Sequence, residues 1–553
     1  MSTISELVHA RAADPRVGLR FEDRSWTWAE VVETAAVRAA FFRAHAPVDA
    51  PFHVGVLLDN VPEFWFALCG AALAGATVVG INPTRRGAEL ARDIEHTDCA
   101  FVLTETTHLP LFEAAGPVAE THRLHVVDGP EWPATLEPYA GAALPPDGPP
   151  PAESDTFMLI FTSGTTGAPK AVRMGHARLA AYGAKLAEMF GLGSDDVCYS
   201  VMPLFHSNAA VAGFADVLAS GATCVLRRRF SATNFLPDVR RYGVTFFNYV
   251  GKPLSYILAT PERDDDADNT LRIAFGNEAA PLDVDRFAQR FGCIVVDGYG
   301  STEGGLNMGR TPETPKGSLG LPVEPIRAVI LDPDTGEECP PAEFDASGRI
   351  LNAEAAIGEI VNPDGGGGFE GYYNNPEADA ERVRNGMYWT GDLGYRDADG
   401  YFYFAGRSGD WLRVDGENFA ATPVELVLAR HPDVVLSAVY AVPSAEVGDE
   451  VMAALHLRPG ARFDPDAFVE FLAAQPDVSP KWTPRFVRIT DGLPSTATQK
   501  VLKRVLRHEH WECEDVVWWR SGRDAAFAPL TKAEITALRA RFVERGREHL
   551  IGR

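Results

Sequence analysis

The stretch Leu159-Ile160-Phe161-Thr162-Ser163-Gly164-Thr165-Thr166-Gly167-Ala168-Pro169-Lys170-Ala171-Val172 narrows what this chain can fold into more than any other. Its apolar run suits a buried strand. That run empties into hydroxyl residues and two glycines, and ends on a single lysine. Backbone amides and hydroxyls of such a loop can all face one anion, so a polyphosphate is the ligand the composition suits. A Walker A loop is excluded, because Gly164 and Gly167 stand too close together, Pro169 precedes the lysine and Ala171 follows it. On residue types alone an ordinary Ser/Thr/Gly turn between two strands fits as well.

At 553 residues the chain exceeds what one core serves, and about two to four structural modules are expected. A net charge of −25 argues against nucleic acid as a partner, since its phosphates need a basic face. Arg227-Arg228-Arg229 reads as a solvated strand edge. The seven cysteines (Cys69, Cys99, Cys198, Cys224, Cys293, Cys339, Cys513) contain no C-x-x-C, so zinc and redox spacings are absent and reduced, buried thiols of a cytoplasmic protein are expected. The N-terminus has no basic segment leading into an apolar one, and no secretory signal is read there. Phe64 to Ile81 is uncharged and nearly long enough to span a bilayer. Gly70, Gly75 and Gly80 interrupt it, however, and it reads as a helix followed by the strand Thr77-Val78-Val79.

Up to about residue 125, helical patterns alternate with short apolar strands such as 53–58, 77–81 and 99–103. Such alternation predicts a parallel sheet covered by helices. A Pro-rich connector, 144–151, leads to the loop described above. A second alternating run from about 176 to 300 predicts strands 196–201, 222–226, 244–249, 271–275 and 293–297. Ligands of open parallel sheets bind beyond the carboxyl ends of the strands, which points to Gly276-Asn277-Glu278 and to Gly298-Tyr299-Gly300-Ser301-Thr302-Glu303. Beyond 310, short alternating strands suggest a β-rich subdomain, with Gly365–Gly368 as a flexible loop. From about 410 a smaller α+β unit is expected, with helices 422–431 and 465–475, strands 434–442 and 486–490, and a tail helix from Thr531 to about Gly546.

Taken in order, these segments resemble the adenylate-forming (ANL) superfamily of acyl-CoA synthetases and their relatives, over nearly the whole chain. The resemblance rests on the 162–170 loop, Tyr299-Gly300-Ser301-Thr302-Glu303-Gly304, Tyr388-Trp389-Thr390-Gly391-Asp392, Arg407, and Pro494-Ser495-Thr496-Ala497-Thr498-Gln499-Lys500. It implies an α/β and α+β fold: a large N-terminal adenylation domain, 1–408, of helix-covered parallel sheets plus the β-rich subdomain, and a small mobile C-terminal lid, 409–553. It also implies roles for particular residues. Thr162, Ser163, Gly164, Thr165, Thr166, Gly167 and Lys170 would hold the phosphates of ATP. Glu303, with Thr165, would hold Mg2+, for which a carboxylate oxygen is the suitable hard ligand. Thr302 would meet the α-phosphate, Tyr299 would stack on adenine beside Gly300 and Ser301, and Gly276, Asn277 and Glu278 would border it. Asp392 would accept hydrogen bonds from the ribose hydroxyls, with Arg407 completing the clamp. Lys500 would meet the attacking carboxylate and the α-phosphate.

One departure narrows the branch. The second position after Arg407, usually Asp or Lys in the superfamily, is Gly409, the expected hinge. Together with Trp411-Leu412-Arg413-Val414-Asp415-Gly416-Glu417-Asn418 and the tail Val516-Val517-Trp518-Trp519, this resembles the fatty-acid-transport and very-long-chain acyl-CoA synthetases. The acyl pocket is less legible. His206, Val250 and Gly251 stand in segments that resemble its walls, and His206 fits a packed core residue equally well. The expected activity is ATP- and Mg2+-dependent conversion of a fatty or bulky lipid acid to acyl-AMP and then to acyl-CoA, with the acid and coenzyme A as partners. Transfer to a carrier thiol or an amine, activation of a small anion such as nitrite, and a lipid-binding or transport role stay open, as do a homodimer and peripheral membrane contact.

Overall fold

The computed structural model describes the chain except residues 1, 117–122, 145–149, 163–169, 312, 346–349, 408–410, 415–416, 447, 476–477, 479–480, 497–499, 523–524 and 552–553, and at 407, 411, 413, 417 and 418 it describes the backbone alone. The large N-terminal domain contains two mainly parallel sheets. One has six strands, in spatial order Arg123–Val126, Cys99–Thr104, His53–Leu57, Thr77–Gly80, Thr156–Thr162 and Lys170–Gly175. Its last two strands are antiparallel, Thr162 facing Lys170, so the ends of the 163–169 loop are joined as a hairpin. The other sheet has nine strands, with Ile294–Gly300, Ile273–Asn277, Phe246–Val250, Val197–Ser200, Thr223–Leu226 and Val17–Phe21 parallel along its centre and antiparallel strands at both edges. The strands predicted for these two sheets are therefore all present, with ends shifted by up to three residues.

Strands such as Phe246–Val250 are buried along their whole length, which follows from helices lying on the sheet faces. Side chains from both sheets join one core, with Trp28, Phe64, Trp65, Phe214, Tyr199 and Tyr249 among its largest members. The uncharged stretch after Pro62 is a buried helix, Pro62–Ala74, started by its proline and stopped by Gly75 in the left-handed conformation (φ 73°). No helix among the described residues is long and apolar enough to cross a membrane.

Two expectations need correction. Arg227-Arg228-Arg229 follows a strand inside the nine-stranded sheet and not an edge strand, and although Arg228 and Arg229 are exposed as expected, both bind Asp59, Arg228 also binds Glu105, and Arg227 binds Asp238. Because Asp59 and Glu105 follow strands of the six-stranded sheet, these ion pairs tie one sheet to the other. Gly365–Gly368 is not simply a flexible loop, since the Gly368 amide donates to the Gly304 carbonyl (3.3 Å) and a Cβ on Gly367 would lie 2.8 Å from the Gly305 carbonyl oxygen. Absence of side chains there permits close approach to the Glu303 motif.

The β-rich part is an antiparallel sheet of Val329–Leu331, Gly358–Asn362, Met387–Arg396, Val383–Arg384 and Phe402–Arg407. The smaller C-terminal domain has its own five-stranded sheet, built on Val434–Pro443, Asp449–Leu457, Phe486–Ile489 and Val516–Trp519, with a separate core on each face. Its tail helix, Lys532–Glu544, starts at a capping box in which Thr531 and Glu534 satisfy each other's amides. The expected boundary at 408 and 409 lies outside the described residues, as does the hinge Gly409. All seven cysteines are free thiols, six of them buried.

Candidate active site

The carboxyl ends of Phe246–Val250, Ile273–Asn277 and Ile294–Gly300 open into one cavity of about 2650 Å³. Thr162, Lys170, His206, Val250, Gly251, Gly276, Asn277, Glu278, Tyr299, Gly300, Ser301, Thr302, Glu303 and Asp392 line it from the large domain, and Lys500 reaches it from the small one. Those expected site residues thus converge. Ser163, Gly164, Thr165, Thr166 and Gly167 lie outside the described residues, including Thr165 as a second metal ligand.

Glu303 is only 5% exposed, so its carboxylate needs fixed partners in place of water. Tyr372, itself buried, donates its hydroxyl proton to Oε1 of Glu303 (2.8 Å). The phenol has one proton, so it accepts from Nε of Arg382 at 3.1 Å. Arg382 in turn donates to the carbonyls of Trp389 (3.2 Å) and Thr390, next to Asp392. From the other side Arg178 donates from Nη2 to the carbonyls of Thr302 and Glu303, both at 2.8 Å. The Thr302 hydroxyl shares a 2.8 Å hydrogen bond with Ser207. An oriented carboxylate on a cavity wall, with a hydroxyl beside it, fits a hard cation that takes its other ligands from phosphate and water.

Tyr299 donates to Oδ2 of Asp392 (2.8 Å), joining the expected adenine and ribose contacts. Asp392 and Arg407 are cross-strand neighbours in backbone register. Gly276 is required sterically, because a Cβ there would lie 2.3 Å from the Tyr249 carbonyl oxygen. Glu278 holds a left-handed backbone (φ 67°), which a non-glycine residue adopts at a cost. Its carboxylate accepts from Nζ of Lys500 across the two domains at 2.6 Å. Lys170 is buried, sits 5.8 Å from the centre of the Tyr372 ring and pairs with Glu381 at 2.9 Å. His206 lines the cavity with its Nε2 shut off from water and without a hydrogen-bond partner among the described residues. Burial, and then the charge of Lys500, push its pKa down to about 3, so the ring is neutral.

The AMP-binding enzyme family matches residues 8–373, and the C-terminal domain of the same enzymes matches 423–500. The chain belongs to this family. Among relatives, it is 50% identical over 516 residues to medium/long-chain-fatty-acid–CoA ligase FadD17 of Mycobacterium marinum (strain ATCC BAA-535 / M), covering 93% of this chain and 98% of that one. It is 47% identical to steroid-22-oyl-CoA synthetase of Rhodococcus jostii (strain RHA1), covering 100% and 99%. Among solved structures, the anthranilate CoA ligase AuaEII in complex with anthranoyl-AMP superposes with a TM-score of 0.79 at 23% identity, covering 92% of this chain and 96% of that one, which supports the fold.

In this AMP-binding enzyme the supports of Glu303 were not legible beforehand. Asn375 followed by Pro376 announces a helix start, and Pro376–Arg382 is indeed a helix capped by Asn375. Nothing in the local pattern tells that its last residue, with Tyr372, reaches a carboxylate in a distant motif. Arg178 was missed for the same reason.

Proposed function

We propose that this AMP-binding enzyme is an ATP-dependent acid–thiol ligase that converts a fatty or steroid-type lipid acid to acyl-AMP and then to acyl-CoA. The observation that carries the reading is the meeting of Lys500 with Glu278, Thr302 and Glu303 in one cavity, which puts a cation from one domain opposite the ATP-handling motifs of the other. The names of the relatives, ligases for fatty and steroid acids, support the acyl class. The apolar lining that includes Met174, Leu186, Met189, Val211 and Phe275 supports it too.

In the first half-reaction the carboxylate oxygen bonds to the α-phosphorus and pyrophosphate leaves. Lys500 exchanges Glu278 for the two reacting anions, lowering the repulsion between them. The Thr302 hydroxyl, fixed by Ser207, donates to the α-phosphate, and Lys170 leaves Glu381 for the outer phosphates. Glu303 would hold Mg2+, which would supply positive charge against the phosphates. Tyr299 and Asp392 orient the nucleoside, so that most of the rate enhancement is positioning and fixed charge. In the second half-reaction a thiol attacks the acyl carbonyl and AMP leaves, and Gly409 would serve as the hinge on which the small domain withdraws Lys500.

The direct test incubates the protein with ATP, Mg2+ and a panel of fatty, steroid and small acids, with and without CoA, following pyrophosphate and thioester. Acid-dependent pyrophosphate release with a CoA adduct is expected for apolar acids. Release without an adduct would transfer the reading to another acceptor, and no release with any acid would remove the ligase reading.

A further inference from the structure

Arg382 ends the helix Pro376–Arg382, and its side chain lines the cavity. The guanidinium is held along one edge only. Nε donates to the Tyr372 hydroxyl at 3.1 Å, and Nη1 donates to the carbonyls of Trp389 (3.2 Å) and Thr390. Among the described residues Nη2 has no hydrogen-bond or ion-pair partner, and it is not shut off from water. Gly391 keeps that edge clear. At φ 74° it turns the strand beside the guanidinium, and a Cβ there would lie 2.8 Å from Nη1 and 3.8 Å from Nη2.

The same bonds set Arg382 between two carboxylates. Tyr372, which accepts from Nε, donates to Oε1 of Glu303 at 2.8 Å. Thr390, whose carbonyl accepts from Nη1, stands two residues before Asp392, whose Oδ2 accepts from Tyr299 at 2.8 Å. Arg382 itself bonds no carboxylate among the described residues, whereas Lys170 pairs with Glu381, Arg384 with Glu359 and Lys500 with Glu278. A guanidinium bonded only to neutral oxygens, with one edge open into a cavity, has a place for an anion. In a nucleotide the α-phosphate joins the ribose to the outer phosphates. With the ribose at Asp392 and the outer phosphates on the Glu303 side, the α-phosphate falls between the two acids, where the open edge is.

We propose that Arg382 is a catalytic residue that binds the α-phosphate directly through Nη2 and keeps this contact in the acyl-AMP after Lys500 has withdrawn. This rests on the ligase reading above. Lys500 comes from the small domain, while Arg382, Glu303 and Asp392 all belong to the large one and stay together whichever way the small domain turns. In thioester formation the C–S bond forms, the C–O bond to AMP breaks, the electron pair stays on the phosphate oxygen and the thiol proton passes to solvent. The charge gathering on AMP then meets the Arg382 guanidinium.

The test needs neither metal nor turnover. In the presence of EDTA, calorimetry compares AMP with adenosine, which lacks only the phosphate. A guanidinium–phosphate contact is charge-assisted, so Arg382→Met should bind AMP about thirtyfold more weakly, with adenosine affected less than about threefold. The parent protein gives a second reading that does not depend on a variant folding: AMP at about ten times its Kd should slow modification of Arg382 by phenylglyoxal about tenfold, and adenosine at equal saturation less than about threefold. In turnover, Arg382→Met should lose at least about tenfold in transfer of a supplied acyl-AMP to CoA, the half-reaction that Lys500→Ala spares. Equal weakening of AMP and adenosine, or equal protection by both, would overturn the contact and leave Arg382 as a support of Tyr372. So would a deficit confined to the Mg2+ requirement. Failure of the ligase reading itself looks different: AMP is preferred and protects Arg382, yet no acid releases pyrophosphate.

Discussion

Glu303 and Lys500 face the same cavity but are held in opposite ways. Glu303 is buried, bonded by Tyr372, and fixed through its backbone by Arg178, with every partner on the large domain. Among the described residues the Lys500 ammonium hangs on one ion pair across two domains, with side-chain exposures of 36% and 43% for the lysine and its partner. A buried hydrogen bond to a carboxylate contributes about 1.5–3 kcal/mol, whereas an ion pair this exposed contributes at most about 1 kcal/mol. The difference suits the two tasks proposed for them. A metal ligand would have to stay in place, while a cation that served only the first half-reaction would have to be released without a large barrier.

The contrast is broken most decisively at Lys500. Lys500→Ala should lower acyl-AMP formation by at least about 10²-fold, because charge opposite two reacting anions is worth several kcal/mol in a water-poor site. Transfer from supplied acyl-AMP should change by much less. Equal losses in both half-reactions, measured by pyrophosphate exchange and by thioester formation, would make Lys500 a fixed part of the site like Glu303.

Glu303→Gln comes next, with a loss of about 30-fold at low Mg2+ and a raised Mg2+ requirement, since an amide is a poorer ligand for a hard cation. Tyr372→Phe should cost about tenfold, or 1.4 kcal/mol, and shift the Mg2+ titration in the same direction. Calorimetric binding of MgATP gives a readout independent of turnover. If Glu303→Gln moves the titration and Tyr372→Phe does not, the phenol is structural. If neither does, Glu303 is not the metal ligand.

What could be read beforehand divides along similar lines. Strands of the parallel sheets were legible because each is a short apolar run between helical patterns, and most of the described residues named from motifs line one cavity. Gly276 and the Glu303 motif are local features with local signatures. Tyr372, Arg382 and Arg178 act across the chain, through hydrogen bonds that no periodicity encodes. The ion pairs of the Arg227-Arg228-Arg229 run were missed because a sequence does not display the acids on the neighbouring sheet that receive it. Glu278 was placed at the nucleotide, and its pairing with Lys500 became visible only when both domains were in view.

A smaller effect is expected at Glu278 itself. Glycine adopts φ 67° without strain, so Glu278→Gly should relieve about 1 kcal/mol of backbone cost while removing the one ion-pair partner that Lys500 has among the described residues. The domains should separate more readily. Limited proteolysis near residue 409 should quicken about threefold although the large domain melts no earlier. Slower cleavage would show that the ion pair does not hold the domains together.

The smallest effect belongs to His206, and here the expectation is that little happens. Its pKa is depressed to about 3 by burial and then by Lys500, so in the folded protein the ring stays neutral throughout the range from pH 5 to 9. In the unfolded chain it binds a proton below about pH 6.5. Its neutral, buried state therefore contributes to stability above that pH, and the contribution is lost as pH falls from 6.5 toward 3. His206→Gln should leave the pH profile of acyl-AMP formation between 5.5 and 8 superimposable on the parent, with the rate changed by less than about threefold. Melting temperatures of parent and variant should converge as pH falls below 6.5, because only the parent loses the histidine contribution. A limb near pH 6.5 that disappears in the variant would show that the ring titrates during turnover, which requires it to have lost its burial.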